Sequence, residues 1–187
     1  MPLRPKQLRA RARRIKLILF DVDGVMTDGR IYYVPRPHGG LVETKTFNSR
    51  DGLGIRLAHA AGLKTGFISG RRSPIVEYRA KELGIHYLQQ GVLDKVGPYE
   101  EILRSGGLTD AQVCFVGDDI VDLPLLKRAG LAVGVGDGHP VLKRHVHYWT
   151  KNPGGMGVVR ETIELILDAQ GKLRPIFDHY LHRPTIE

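Results

Sequence analysis

The sequence predicts a three-layer α/β fold, one doubly wound parallel sheet with helices on both faces. It does so through two features. Short apolar, β-rich runs alternate with helical patterns along most of the chain. A length of 187 residues with an ordinary apolar fraction of 42% suits one domain with a sizeable core.

The first apolar run, residues 15–20, reads as a strand ending at Phe20. Residues 30–34 and 42–47 flank the turn-rich Pro35-Arg-Pro-His-Gly-Gly40 and read as a β-hairpin. Residues 51–61 form a helical pattern closed by Gly62, and residues 64–68 return to strand. Ser73 and Pro74 suit an N-cap and first helical turn, opening a helix that ends at Leu83 before Gly84. Four more elements alternate after it: strand 85–88, helix 96–105, strand 113–116 and helix 123–129, the last stopped by Gly130. Residues 131–135 are a further strand, and residues 158–169 a final amphipathic helix with Gly171 beyond it. Cys114, the lone cysteine, lies inside an apolar run and reads as a core residue.

Ahead of this body, Arg4, Lys6, Arg9, Arg11, Arg13 and Arg14 form a leader, residues 1–14, with no acid. Without those six, 22 basic residues face 20 acidic ones, so the formal charge of +8 belongs mostly to the leader. It reads as a flexible solvated tail or a subunit contact, and residues 173–187 as a C-terminal tail. No run approaches the roughly 18 consecutive apolar residues of a membrane span, and the first run is too short for a signal-peptide core, so a soluble cytoplasmic protein is expected.

Ligands of doubly wound sheets bind where loops leave the carboxyl ends of the strands. Asp21 and Asp23 follow the first strand, Ser69-Gly-Arg71 the second, Asp94-Lys95 the third and Gly117-Asp-Asp-Ile-Val-Asp122 the fourth. In an extended segment residues i and i+2 share a side, so Asp21 and Asp23 are able to face one ligand. Two anions so close need a cation between them or a proton on one. An EF-hand calcium loop also begins Asp-x-Asp, but Val25, Met26 and Tyr32 stand where it needs an oxygen ligand, Gly and Glu. Singly these residues also suit solvated turns or helix starts. Their order at successive strand ends points to one site.

With Asp21-Val-Asp-Gly-Val-Met-Thr-Asp-Gly29, Arg50-Asp-Gly-Leu-Gly-Ile55, Ser69-Gly-Arg-Arg-Ser-Pro-Ile75, Gly117-Asp-Asp-Ile-Val-Asp-Leu-Pro124 and Ala169-Gln-Gly-Lys172, the chain resembles the haloacid dehalogenase superfamily, and within it the 3-deoxy-D-manno-octulosonate 8-phosphate phosphatases. The resemblance spans about residues 15–172. It implies a Rossmann-like domain and a Mg2+-dependent phosphoric monoester hydrolase of lipopolysaccharide sugar biosynthesis, working through an aspartyl phosphate. Asp21 is then the nucleophile, Asp23 the acid and base, Ser69 a donor to phosphoryl oxygen, and Lys95 a positive charge at the nucleophile. Mg2+ is expected on the Asp21 carboxylate, the Asp23 carbonyl and Asp118, with Asp119 and Asp122 orienting from outside.

The gaps from Asp23 to Ser69 and from Ser69 to Lys95 hold no separate cap domain. The hairpin, about residues 30–47, is therefore expected to act as a flap. The resemblance implies a homotetramer in which a neighbour completes the lid. A sugar acid carries a carboxylate as well as a phosphate, so Asp23, Asn48, Ser49, Arg50, Asp51, Gly52, Arg56, Gly70, Arg71, Arg79 and Lys95 are its expected binding residues. A nonulosonate 9-phosphate is the neighbouring substrate choice. A nucleic-acid end phosphatase guided by the leader and a non-catalytic interaction module are the readings from other classes, both disfavoured by the complete set of catalytic groups.

Overall fold

The computed structural model describes residues 3–182. The first two residues of the leader and the last five of the expected tail lie outside the described residues.

Six parallel strands form the main sheet: β1 Leu17–Phe20, β4 Lys64–Ser69, β5 Tyr87–Gln90, β6 Val113–Gly117, β7 Leu131–Gly134 and β8 Tyr148–Trp149, in the order β5-β4-β1-β6-β7-β8. The chain starts in the middle, steps outward through β4 to β5, then crosses back to β6 on the other side of β1. That reversal puts the carboxyl ends of β1 and β6 side by side, where Leu17 pairs with Val113 and Phe20 with Val116. A crevice at such a switch point is where this architecture binds ligands.

All four residues of β1 are buried, because helices cover both faces. Leu17 and Leu19 pack with Phe115, Tyr99, Ile102 and Leu125, from β6 and the helices α4 Val96–Gly106 and α5 Leu123–Arg128. Ile18 and Phe20 pack the other way, with Phe67, Val116, Val76 and Ile163, against α2 Ser49–Ala60, α3 Pro74–Leu83 and α6 Val158–Ala169. Fully burying each such side chain contributes about 1.5–3 kcal/mol, so the strand that delivers Asp21 is firmly held by the core.

Two strands stand apart from this sheet. β2 Tyr32–Pro35 and β3 Leu41–Thr44 form an antiparallel hairpin with Val34 opposite Val42. It leaves Tyr33, Val34 and Leu41 exposed. No separate cap domain accompanies it among the described residues.

The leader departs from expectation. Pro5–Ala12 is a helix, α1, whose Leu8 and Ala12 enter the core. Arg9 reaches the Asp168 carboxylate at 3.1 Å, and the Arg13 Nε donates to the Ala169 carbonyl at 3.0 Å. These cations answer the negative carboxyl end of α6, while Arg11 donates to the Gly130 carbonyl at 2.7 Å. Two apolar residues one turn apart among six cations made too narrow a stripe to read as a packed helix. The expected tail begins with a helix as well, α7 Leu173–Leu181. No helix among the described residues is long and apolar enough to cross a membrane.

Candidate active site

Asp21 leaves β1 with its N–H donated to the Val116 carbonyl, so its side chain emerges at the carboxyl edge of the sheet, beside the end of β6. The chain then turns sharply, with Asp23 extended and Gly24 at φ +85°. A Cβ on Gly24 would sit 2.1 Å from an oxygen of Asp118, so only glycine allows the two loops to close on each other.

Lys95 precedes α4 and is buried. Its Nζ donates to Asp21 Oδ1 and to Asp122 Oδ1, each at 2.7 Å. The second oxygen of Asp122 accepts the N–H groups of Asp118 at 3.0 Å and Asp119 at 3.4 Å. Asp122 therefore shapes the loop that presents Asp118. Asp119 turns to its own backbone, accepting from the Ile120 N–H at 2.7 Å.

Three carboxylates, those of Asp21, Asp118 and Asp122, bring oxygens within 4.8 Å of one another with one ammonium among them. Burial pushes the Asp118 carboxyl up to about 8, and the charges of Asp21 and Asp122 add to the shift. Asp21 is raised to about 6 by burial and then by Asp122, against the pull of Lys95. Burial works to lower Lys95, but Asp21 and Asp122 outweigh it and leave its pKa above the ordinary value. An acid cluster held this far from easy ionisation has the donor set of a hard divalent cation.

Ser69 closes β4 and is buried at the same rim. Its Oγ accepts the Arg71 N–H at 3.2 Å, which leaves the hydroxyl proton for another acceptor. A cavity of about 300 Å3 opens over Asp21, Asp23, Ser69, Lys95 and Asp118, bordered by Gly70, Arg71 and Asp119.

Asp23 is engaged from the flap. The Lys45 ammonium, wholly enclosed, bonds Asp23 Oδ1 and lies 3.3 Å from Glu43. Arg71 stands 3.7 Å from the other Glu43 oxygen. Sequence reading missed Glu43 and Lys45. Their i, i+2 spacing along a strand was the available signal, since it puts both on one face of the hairpin.

Of the expected sugar-acid residues, Asp23, Gly70, Arg71 and Lys95 line this cavity, and the rest do not. Asn48 caps α2, accepting from the Arg50 N–H at 2.8 Å. Asp51, fully buried, accepts the N–H of Gly157 at 3.2 Å and of Arg160 at 2.8 Å, and so caps α6. Gly52 gives room to Arg79, which pairs with Glu82 at 2.7 Å and lies over the Phe47 ring. Ser49 opens α2 beside the exposed Arg50, and Arg56 is exposed on the same helix.

Comparison with known proteins gives the family. Residues 88–161 match the family model of haloacid dehalogenase-like hydrolases. The 3-deoxy-D-manno-octulosonate 8-phosphate phosphatase of Yersinia pestis is 45% identical over 87% of this chain and 85% of its own length. Its Escherichia coli K12 counterpart is 42% identical over 88% and 85%. A probable phosphatase of the YrbI family from Pseudomonas syringae superposes with a TM-score of 0.90 at 44% identity, covering 96% of this chain and 99% of that one. The Moraxella catarrhalis 3-deoxy-D-manno-octulosonate 8-phosphate phosphatase, solved with magnesium, phosphate and the sugar acid, gives 0.87 at 35% identity over 94% and 98%.

Proposed function

The chain belongs to the haloacid dehalogenase-like hydrolases, among the 3-deoxy-D-manno-octulosonate 8-phosphate phosphatases, and from that premise we propose that it hydrolyses this sugar phosphate to the free sugar acid and inorganic phosphate. One observation carries the proposal beyond likeness. Asp21, the Ser69 hydroxyl and the buried Lys95 ammonium converge on one cavity, with Asp23 at its wall.

Asp21 attacks phosphorus in line with the sugar oxygen, forming an aspartyl phosphate as the P–O bond to the sugar breaks. Asp23 hands a proton to the departing alkoxide and then takes one from the water that attacks the intermediate. Phosphate leaves, and Asp21 and the protonated Asp23 are restored. Lys95 steadies the Asp21 carboxylate and offsets charge on the transferring group, while Ser69 donates to a phosphoryl oxygen. Asp122 acts through others, holding Lys95 with one oxygen and the Asp118 loop with the other.

The acid cluster fits Mg2+, which the Asp21 carboxylate, the Asp23 carbonyl and Asp118 would hold. When bound, it supplies neutralising charge to the phosphoryl oxygens. Arg71 is the cation at the cavity edge suited to the substrate carboxylate. We extend the proposal to a cytoplasmic homotetramer in which a neighbour covers the open cavity, supported by the exposed Tyr33, Val34 and Leu41 of the hairpin and checked by sedimentation.

The deciding experiment is phosphate release from a panel of 3-deoxy-ulosonate and ordinary hexose phosphates with Mg2+. Preference for the octulosonate 8-phosphate, abolished in Asp21→Asn, is expected. An Asp21→Asn enzyme of normal rate rules the mechanism out, and equal rates across the panel remove the specific substrate.

A further inference from the structure

We propose that Lys45, carried by the hairpin, is a positioning residue that holds the Asp23 carboxyl for proton transfer. The inference rests on the reaction proposed above and assigns part of it to the flap.

The Lys45 side chain has no exposure to water and meets two acids, Asp23 and Glu43. Burying an ammonium is costly unless it is paired, so this placement needs both partners. Lys95 does not serve Asp23, since its donors go to Asp21 and Asp122. The turn at Gly24 supplies no hydrogen bond to the Asp23 side chain either, and Lys45 is its ion partner among the described residues.

Lys45 takes Oδ1 of Asp23 and leaves Oδ2 for the transferred proton. Glu43, in β3 and two residues before the lysine that follows that strand, steadies it, and Arg71 stands behind Glu43. A line of alternating charge thus runs from the loop after β1, through the flap, to the loop after β4. The acid and base of a two-step reaction must occupy one place in both steps, and small misplacements are expensive in rate. A short turn with a left-handed glycine does not ensure that by itself.

The test separates positioning of a proton donor from general damage. A sugar alkoxide needs a proton as it leaves, whereas 4-nitrophenolate does not. In Lys45→Met, kcat/KM for the sugar phosphate is expected to fall about 100-fold, against less than about 5-fold for 4-nitrophenyl phosphate. Lys45→Arg, which keeps the charge and a donor, is expected to restore most of the difference. A fall that is equal for both substrates, or no fall, overturns the inference, because a merely structural lysine affects both alike.

Melting curves accompany each variant. Where Lys45→Met does not fold, Glu43→Gln serves instead, with a selective fall of about 3- to 10-fold expected and an unchanged substrate ratio counting against the inference. Wild-type protein that releases phosphate from neither substrate overturns the activity itself, an outcome distinct from a lost ratio.

Discussion

The rim at β1 and β6 and the opening of α2 are both dense in polar residues, yet they use them differently. At the rim, Asp21, Lys95 and Asp122 are buried against one another beside the half-buried Asp118, and their bonds leave acid oxygens crowded around one point. At residues 48–52 the polar groups spend themselves on backbone: Asn48 caps its own helix, and Asp51 caps α6. A cluster that faces itself stores repulsion that a ligand relieves. One that faces N–H groups is already satisfied, and its removal costs stability rather than chemistry.

Substitution separates the two most sharply at the nucleophile. Asp21→Asn is expected to lower turnover by on the order of 10⁴-fold or more, without lowering the melting temperature of the metal-free protein, because the change removes a repelled buried acid. Lys95→Met should cost about 10²- to 10³-fold in kcat. It should also cost about 3–5 kcal/mol in denaturant unfolding, since two buried carboxylates lose their counter-charge. Were its stability unchanged, the rim would be less tightly coupled than the 2.7 Å bonds indicate.

Asp51→Ala reverses the pattern. It should lose about 2 kcal/mol of stability by uncapping α6, with turnover per folded molecule retained. A selective loss of turnover would return Asp51 to the substrate site.

Titration sharpens the contrast again. Asp118 and Asp21 lie near 8 and 6 in the folded, metal-free protein, against an ordinary value of 3.8. Their folded pKa values are raised, so their contribution to stability is full below about 4 and is lost as pH rises through 6 and then 8. Melting temperatures in chelator should therefore carry a falling component over that window, and Asp118→Asn should lose its upper part, toward pH 8, while keeping the part that Asp21 contributes. Added Mg2+ should raise the melting temperature more at pH 8 than at pH 5.5, where protons compete for the same oxygens. Arg56→Ala, on the exposed face of α2, is the smallest change, within about 0.5 kcal/mol.

Much of this was legible in advance. Asp21, Ser69 and Asp118 each stand at or just beyond the end of an apolar run and Lys95 opens the helix that follows the third, and parallel strands deliver such positions to a common edge. Lys45 was not legible, because a lysine in a hairpin reads as solvated until the hairpin's path over the rim is known. Leu8 and Ala12 stayed hidden among arginines for a similar reason: their partners lie at the other end of the chain, on α6.

The sequence by itself determined the alternation of strands and helices, the order of the strand-end motifs and the family, all of which depend on local pattern and spacing. Tertiary structure alone decided which polar groups face the cavity and which face backbone. It closed Gly24 against Asp118, turned Asp51 to the start of α6 and brought Lys45 to Asp23. Those contacts join segments far apart in the chain, and a side chain's partners across such distances are set by packing and burial, which no local pattern encodes.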